Sequence, residues 1–271
     1  MSAIKNVFDS LKVQRNGALI GYITAGDPNP ECTPEIAEAL IRGGVDILEL
    51  GLPFSDPIAD GPTIQEASLR ALNAGTTPHG VLELAKQIKQ KHNLPVVIMT
   101  YFNPIFKMGL KKFFRVAKNC GVDGVIIPDL PIEEAKEYRA SAATFGVDTI
   151  FLAAPSTTDD RLQHIVNCSS GFLYLVSRFG VTGAKSSIQS STIQLVKRVL
   201  TFTQGRVPLA VGFGVSKPDH VKSIISAGAD GVIVGSAFVN IISRNLLCHH
   251  KMFAEIEASA RILKQSTLDS R

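Results

Sequence analysis

The chain has 271 residues, of which 45% are hydrophobic, 19% are charged and none is tryptophan. This composition excludes an intrinsically disordered protein, because disordered chains are poor in apolar residues. There are 28 Lys and Arg residues and 24 Asp and Glu residues, and the net charge of +4 is too small and too scattered to indicate nucleic-acid binding, although it is mildly favourable for a small anionic substrate.

The cysteines and the N-terminal residues indicate the compartment. Cys32, Cys120, Cys168 and Cys248 are far apart and form no CxxC pair, which fits reduced thiols better than a disulfide framework. Residues 1–6 lack the basic start of a signal peptide, and no apolar run is long enough to cross a membrane. We therefore expect a soluble, cytoplasmic protein.

Short apolar, β-branched blocks alternate with stretches of helical spacing along the chain. The blocks begin near residues 19, 47, 96, 124, 149, 172, 208 and 231. Eight alternating strand and helix units imply parallel strands and close naturally into an α/β fold, the (β/α)8 TIM barrel. An open doubly wound sheet is the alternative, but the turn after strand one has no GxGxxG pattern. No linker interrupts the pattern, so residues 1–271 are predicted to form a single TIM-barrel domain.

Several local patterns refine this barrel. A leading amphipathic helix is predicted to plug its N-terminal face, and extra chain, including inserted helices, is expected after strands two and six. The apolar residues of the leading helix are Ile4, Val7, Phe8 and Leu11. A turn of Gly, a small apolar residue and Asp precedes four strands, and its glycine suits the left-handed cap that ends a helix. These turns are residues 44–46, 121–123, 146–148 and 228–230.

Strand two carries a carboxyl group among apolar residues. With the alternation of a strand, Glu49 shares one face with Ile47 and Gly51, while Leu48 and Leu50 share the other. If the leucines pack on helices, Glu49 points into the barrel, where a carboxyl group is unfavourable unless it is paired, hydrogen-bonded or protonated. Such a group suits proton transfer, and the alternative is a buried glutamate tied to a neighbouring strand.

Asp60 follows in a loop bracketed by three prolines, which restrict how the loop bends. Two carboxyl groups in different environments can act on one substrate as an acid and a base. Glu49 and Asp60 are therefore the predicted catalytic pair. Asp56 is the rival carboxylate and is interpreted as structural or as a contact to a partner.

Two glycine motifs follow the last strands and predict a phosphate site. Glycines let backbone N–H groups approach an anion, and a helix N-terminus adds its positive end. Glycines that serve only tight turns are the alternative, which is less favoured because two motifs occur together. The predicted phosphate-binding residues are Gly212, Phe213 and Gly214 after strand seven, and Gly235 and Ser236 after strand eight.

Residues 48–62, Leu-Glu-Leu-Gly-Leu-Pro-Phe-Ser-Asp-Pro-Ile-Ala-Asp-Gly-Pro, resemble the signature of the tryptophan synthase α subunit family. The resemblance extends from Gly26-Asp27-Pro28 through Met-Thr-Tyr-Phe-Asn-Pro at 99–104 and Pro-Asp-Leu-Pro at 128–131 to Gly235-Ser236. It implies a lyase of tryptophan biosynthesis that cleaves indole-3-glycerol phosphate to indole and glyceraldehyde 3-phosphate by a retro-aldol reaction. It further implies an α2β2 heterotetramer in which a β subunit carries pyridoxal phosphate and receives the indole, with no cofactor in this chain.

The segment after strand six is rich in small residues and is interpreted as a lid, with a disordered surface loop as the alternative. The resemblance implies that Gly183 and Ala184 contact the phosphate and that Thr182 closes beside Asp60. Tyr174 in strand six is predicted to face inward and to meet a substrate hydroxyl. A tyrosine that only fills the core is an equal alternative.

A retro-aldol enzyme needs an electron sink, usually a Schiff-base lysine or a metal. No lysine lies in a strand block and the histidines form no ligand cluster, so no metal site is predicted. Protonation of indole at C3 would make the ring itself the sink. Glu49 is assigned as the group that protonates C3 and then helps to remove the hydroxyl proton, and Asp60 as the acceptor that stabilises the positive indole N–H.

An apolar slot for the indole ring is expected at the strand ends. Its predicted residues are Tyr22, Thr100, Ile127, Phe151 and Phe213. The chain departs from the family pattern at Tyr22, where phenylalanine is expected, and at Phe179, where a small residue is common. These departures bear on substrate fit and lid motion.

Two other functions stay open on the residues alone. One is a sugar-phosphate isomerase or synthase barrel that shares only the phosphate site, and the other is a non-catalytic activator, against which Glu49 and Asp60 argue. The β subunit is expected to dock on loops at the C-terminal face of the barrel. The candidate contacts are Pro53, Asp56, Asn103, Pro104, Phe106 and Pro131.

Overall fold

A computed structural model describes residues 2–176, 190–212 and 214–268. The strand segments in this part are β1 (Ala18–Thr24), β2 (Ile47–Gly51), β3 (Val96–Met99), β4 (Gly124–Ile126), β5 (Asp148–Ile150), β6 (Leu152–Ala153), β7 (Leu173–Val176), β8 (Leu209–Gly212) and β9 (Gly231–Val234).

The helices surround these strands. They are α1 (Ala3–Val13), α2 (Cys32–Arg42), α3 (Pro62–Asn73), α4 (Pro78–Lys91), α5 (Phe102–Met108), α6 (Leu110–Asn119), α7 (Lys136–Phe145), α8 (Asp159–Cys168), α9 (Ser190–Thr203), α10 (Pro218–Ser226), α11 (Ser236–Arg244) and α12 (His249–Gln265), with a 3-10 turn at Ile132–Glu134. Two helices, α3 and α4, follow β2, as the long connection there predicts. The other long connection, after β7, begins with residues 177–189, which lie outside the described part of the chain.

The strands pair in parallel in the order β5-β4-β3-β2-β1-β9-β8-β7-β6. The segments at the two ends of this order are successive pieces of one strand, because β5 pairs with β4 whereas β6 pairs with β7. The chain changes partner at Phe151, whose carbonyl accepts a hydrogen bond from the N–H of Tyr174 at 3.0 Å. This change closes the sheet into an eight-stranded barrel, so the predicted TIM barrel is confirmed, and its fifth strand consists of two segments.

Alternation along the strands separates two apolar layers. Ile47, Val97 and Ile126 lie in a cluster inside the barrel, whereas Leu48 and Leu50 pack in the larger cluster between strands and helices. This is the arrangement that Glu49 requires if it is to face inward. The interior cluster also contains Ile4, Phe8 and Leu11 of α1, so the predicted leading helix does plug the barrel.

The predicted Gly-apolar-Asp turns lie at the N-terminal ends of the strands, and the glycine of each has a positive φ, between 62° and 105°. In three of them the aspartate carboxylate accepts a hydrogen bond from a backbone N–H at the start of a neighbouring strand. The pairs are Asp46 with Leu19 (2.7 Å), Asp123 with Val96 (2.9 Å) and Asp230 with Leu209 (2.8 Å). The N–H of each aspartate donates in return to the carbonyl of the same residue. We call these reciprocal pairs strand staples.

A fourth staple uses a serine. The N–H of Thr149 in β5 donates to the Ser170 hydroxyl at 2.8 Å, and the N–H of Ser170 donates to the Thr149 carbonyl at 2.8 Å. Asp148, in the remaining turn, instead accepts a hydrogen bond from the Ser2 hydroxyl at the start of α1. Four neighbouring strand pairs are therefore joined at their N-terminal ends by a side chain.

Candidate active site

A cavity of about 190 Å³ opens toward the C-terminal ends of the barrel strands. It brings together these predicted residues: Tyr22, Glu49, Asp60, Tyr174, Gly214, Gly235 and Ser236. It is completed by residues that were not predicted to line it, although Gly61, Pro62 and Met99 lie in the motifs at 48–62 and 99–104. These residues are Gly61, Pro62, Thr63 and Ile64 at the start of α3, Met99 at the end of β3, and Ile233 in β9. The site therefore has a carboxyl pair, tyrosines, an apolar surface and two glycine-containing strand ends in one place.

Glu49 lies in the middle of β2, opposite Tyr22 on β1 and Val97 on β3. Its side chain is fully buried, and no group among the described residues hydrogen-bonds to either carboxylate oxygen. Burial, with a smaller contribution from the charge of Asp60, raises the pKa of Glu49 to about 8. The described structure thus does not tie this glutamate to a neighbouring strand, and it favours a protonated, proton-donating carboxyl group.

Asp60 lies in the loop between β2 and α3 and is less deeply buried. Burial raises the pKa of Asp60 to about 6, while a hydrogen bond from the Tyr101 hydroxyl to Asp60 Oδ2, at 3.1 Å, acts to lower it. Near neutral pH this carboxyl group is mostly ionised, whereas that of Glu49 is mostly protonated. The two carboxyl groups therefore differ in protonation near neutral pH, which is the separation that acid/base catalysis needs.

Tyr101 positions the Asp60 loop and was missed by the sequence analysis. Its hydroxyl also accepts a hydrogen bond from the N–H of Ala59 at 2.9 Å, and its ring stacks on Phe54 with centroids 5.2 Å apart. One side chain thus holds the two ends of the loop. Tyr101 lies in the motif at 99–104 that carries the family resemblance. Whether Thr100 or Tyr101 reaches the site depends on the turn after β3, which the motif alone does not define.

Three predicted slot residues lie away from the cavity. Thr100 is buried, and its hydroxyl donates to the Tyr101 carbonyl at 3.1 Å. Ile127 and Phe151 pack in the outer cluster and line a second cavity of about 280 Å³. The physical reason is alternation, because Ile126 and Ile150 point into the barrel and their successors must point toward the helices. The structure thus corrects their predicted placement in the slot.

Two tyrosines face the interior close to the carboxyl pair. Tyr22 packs its hydroxyl against Gly51, and Tyr174 packs its hydroxyl against Gly212, where an added Cβ would lie only 2.2 Å and 2.5 Å from the respective oxygens. Gly212 therefore makes room for Tyr174. Burial raises the pKa of both tyrosines well above the ordinary value, so both hydroxyls stay neutral.

The predicted phosphate end lies at the start of α11. Gly235 immediately precedes this helix and Ser236 is its first residue, so the positive end of the helix faces the cavity that holds Glu49. Gly214, with a φ of +80°, borders the same cavity from the loop after β8. Phe213, Thr182, Gly183, Ala184 and Phe179 lie outside the described residues, and their assignments remain predictions.

The described residues contain no group of three or more His, Cys, Asp or Glu side chains placed to hold a metal ion. Within the same part of the chain, no helix combines the length and apolar character needed to span a lipid bilayer.

Comparison with known proteins identifies the family. A family model described as tryptophan synthase alpha chain matches residues 8–268. Proteins named tryptophan synthase alpha chain from Methanosarcina acetivorans and Solibacter usitatus are 49% and 48% identical, over 98% and 90% of this chain and 94% and 91% of their own length.

Solved structures agree. A chain from the tryptophan synthase a2b2 complex of Pyrococcus furiosus is 42% identical with a TM-score of 0.86, over 92% of this chain and 98% of that chain. A chain from the aminoacrylate-bound tryptophan synthase of M. tuberculosis is 34% identical with a TM-score of 0.86, over 98% of this chain and 100% of that chain. These matches cover the barrel and the loops that form the cavity, and the chain belongs to the tryptophan synthase α chain family.

Proposed function

We propose that the cavity around Glu49 and Asp60 is the place where this tryptophan synthase α subunit cleaves indole-3-glycerol phosphate to indole and glyceraldehyde 3-phosphate. The observation that carries the proposal is the fully buried carboxyl group of Glu49 and the half-buried one of Asp60, with pKa values of about 8 and about 6, in one cavity with a helix N-terminus. The two groups supply an acid and a base at neutral pH. The helix end suits the substrate phosphate.

The reaction can be written on these groups. Glu49 donates its proton to C3 of the indole ring, and the iminium-like ring accepts the electron pair of the bond between C3 and the first glycerol carbon as that bond breaks. The hydroxyl on this carbon gives its proton to the Glu49 carboxylate and becomes the aldehyde, which restores the protonated acid. The Asp60 carboxylate stabilises the positive charge at the indole N–H. This chain needs no cofactor for these steps, and pyridoxal phosphate belongs to the β subunit.

Tyr174 and the phosphate residues complete the proposed site. Tyr174 is 5% exposed and borders the cavity, so its neutral hydroxyl can meet a hydroxyl of the glycerol chain. Gly214, Gly235 and Ser236 are proposed to hold the phosphate through backbone N–H groups. Ser236→Asp should raise KM at least tenfold by adding a negative charge beside the phosphate, whereas Ser236→Ala should change KM far less. An unchanged KM in the aspartate variant would place the phosphate elsewhere.

The decisive experiment is incubation of the chain, alone and with a β subunit, with indole-3-glycerol phosphate and detection of indole. Glu49→Gln and Asp60→Asn should lose most turnover, and Glu35→Gln, at an exposed glutamate on α2, should retain it. Absence of indole release under both conditions would contradict the proposal. Activation of a β subunit without indole release would instead indicate an activator that only binds ligand.

The proposed docking surface for the β subunit is the set of loops around the cavity mouth. Phe106, at the end of α5, is 68% exposed, and Ile58, in the Asp60 loop, is 84% exposed. Large exposed apolar side chains are common at interfaces. Phe106→Asp should weaken assembly in gel filtration with the β subunit, while Val13→Asp, at an exposed residue that ends α1 on the opposite face of the barrel, is the control. Normal assembly of the Phe106 variant would show that the interface with the β subunit lies elsewhere.

The cytoplasm is the proposed compartment. Its support is the set of four cysteines, which are free in the structure, three of them buried. Fractionation of the native host, with antibody detection of the chain, tests this proposal.

A further inference from the structure

Tyr22 forms the wall of the cavity between β2 and the start of α11. A Cβ added to Gly235 would lie 3.1 Å from Cδ1 of Tyr22, and one added to Gly51 would lie 2.2 Å from its hydroxyl oxygen. The ring therefore fills the space that side chains at both positions would occupy. Its hydroxyl is fixed at the end of β2, one inward-facing position beyond Glu49.

The hydroxyl has hydrogen-bonding capacity beyond its contact in the structure. It lies 3.2 Å from Thr24 Oγ1, and either oxygen can be the donor. Tyr22 and Thr24 each have one hydroxyl proton, and only one of these two protons is needed for the hydrogen bond between them. If Thr24 donates, the Tyr22 hydroxyl can donate to a ligand, and if Tyr22 donates, its oxygen can still accept from one.

Part of the cavity beside this polar atom is apolar. Ile64, Met99 and Ile233 line that part and carry no hydrogen-bond donor in their side chains, whereas the carboxyl groups of Glu49 and Asp60 line another part. The Tyr22 side chain is 8% exposed, so water competes little for its hydroxyl. A polar atom in such surroundings discriminates between ligands more strongly than one in water, because an unpaired partner is not compensated by solvent.

We propose that the Tyr22 hydroxyl is a specificity determinant of the ring slot, which favours indole rings that carry a hydroxyl substituent over rings that carry a methyl group at the same position. This inference rests on the proposed function, since it assigns the cavity to the indole ring. A hydroxyl substituent can donate to or accept from Tyr22 in either orientation of the Tyr22–Thr24 contact. A methyl group has similar size and can do neither.

The test uses the reverse reaction, in which indole condenses with glyceraldehyde 3-phosphate in the presence of the β subunit. Hydroxyindoles and methylindoles substituted at each position of the benzene ring are compared as matched pairs. The ratio of their kcat/KM values is measured with the parent chain and with Tyr22→Phe. At one ring position or more, the variant should lower the hydroxyl-to-methyl ratio by about fivefold or more, the effect of one lost hydrogen bond.

Tyr138→Phe is the matched control. Tyr138 is a buried tyrosine on α7 whose hydroxyl donates to the Val125 carbonyl at 2.9 Å, in the outer cluster away from the cavity. Its variant should leave every ratio within twofold. Because both substrates of a pair meet the same preparation, the ratio does not depend on the fraction of folded enzyme.

Each outcome has a distinct meaning. Parent enzyme that condenses indole, combined with unchanged ratios in Tyr22→Phe at all ring positions, overturns the inference and leaves the proposed function intact. Equal changes in the Tyr22 and Tyr138 variants also overturn it, because they indicate a general effect on packing. Failure of the parent enzyme to condense unsubstituted indole refutes the proposed function and, with it, the inference.

Discussion

The two ends of the barrel treat carboxyl groups that are partly or fully buried in opposite ways. At the N-terminal end, Asp46 and Asp123 each accept a backbone N–H, and each forms an ion pair, with Lys264 at 2.7 Å and with Lys89 at 3.0 Å. In the cavity that opens toward the C-terminal end, Glu49 is fully buried without a hydrogen-bond partner among the described residues. The same chemical group is thus satisfied at one end and left unsatisfied at the other.

This difference separates stability from function. A carboxylate with hydrogen-bond and ion-pair partners stabilises the fold, whereas a buried carboxyl group without partners destabilises it when ionised and has a raised pKa, which suits proton transfer near neutral pH. The Asp60 carboxylate is intermediate, with one hydrogen bond from Tyr101. Each carboxyl group can therefore be assigned to a role by what it contacts, and substitutions at the two ends should have opposite consequences.

The largest effect is expected at Glu49. Glu49→Gln should reduce turnover by about 10²- to 10⁴-fold, because it removes a positioned acid. The pKa of Glu49 is raised from 4.5 to about 8, so the folded state binds this proton more tightly than the unfolded state and the stability of the parent falls as pH rises through this window.

Glutamine has no such proton, and the stability of the variant relative to the parent should therefore increase between pH 5 and pH 8. Urea unfolding at both pH values measures this. A variant that loses stability relative to the parent at pH 8 would show that the carboxyl group is satisfied after all.

The opposite result is expected at Asp123. Asp123→Ala removes the acceptor for Val96 N–H and the partner of Lys89, and should lower the free energy of unfolding by about 2–3 kcal/mol. Since the staple lies far from the cavity, kcat/KM of the folded variant should stay within twofold. A large loss of activity per folded molecule would show that the two ends are coupled.

Tyr101→Phe should sharpen the distinction between Glu49 and Asp60. The parent should show a bell-shaped dependence of kcat/KM on pH, with limbs near 6 for Asp60 and near 8 for Glu49. Loss of the hydroxyl that stabilises ionised Asp60 should move the acid limb to higher pH and lower kcat/KM at pH 7 by about tenfold or less. A shift of the basic limb alone would contradict this prediction, because it would show that the Tyr101 hydroxyl acts on Glu49 and not on Asp60.

The smallest effect is expected at Ser170, the neutral member of the staples. Ser170→Ala leaves the Thr149 N–H without its hydroxyl acceptor and should cost about 1 kcal/mol of stability, less than the loss at Asp123. Thermal unfolding of both variants at one pH gives the comparison. Equal losses would mean that charge adds nothing to a staple.

Local periodicity predicted the barrel and the inward direction of Glu49, because alternation in a strand depends only on neighbouring residues. Ile127 and Phe151 were predicted to line the slot only because they stand at strand ends, and alternation, which places Ile126 and Ile150 inside the barrel, directs them toward the helices. Tyr101 could not be predicted as the partner of Asp60, since its reach depends on how two separate loops meet. Only one part of each strand staple was predicted. The glycine turn depends on neighbouring residues, whereas the N–H that donates to the aspartate carboxylate belongs to the preceding strand.

The strand staples divide the barrel in a regular way. They join the first barrel strand to the second, the third to the fourth, the fifth to the sixth and the seventh to the eighth, and each staple closes one βαβ segment at its base. Asp148 stands between two such segments, and its carboxylate accepts a hydrogen bond from Ser2 instead. The barrel is thus four consecutive quarters, each carrying its own closure within a short stretch of sequence. Circular permutants cut between quarters keep every staple within one continuous stretch, whereas cuts inside a quarter separate its two halves to opposite ends of the chain.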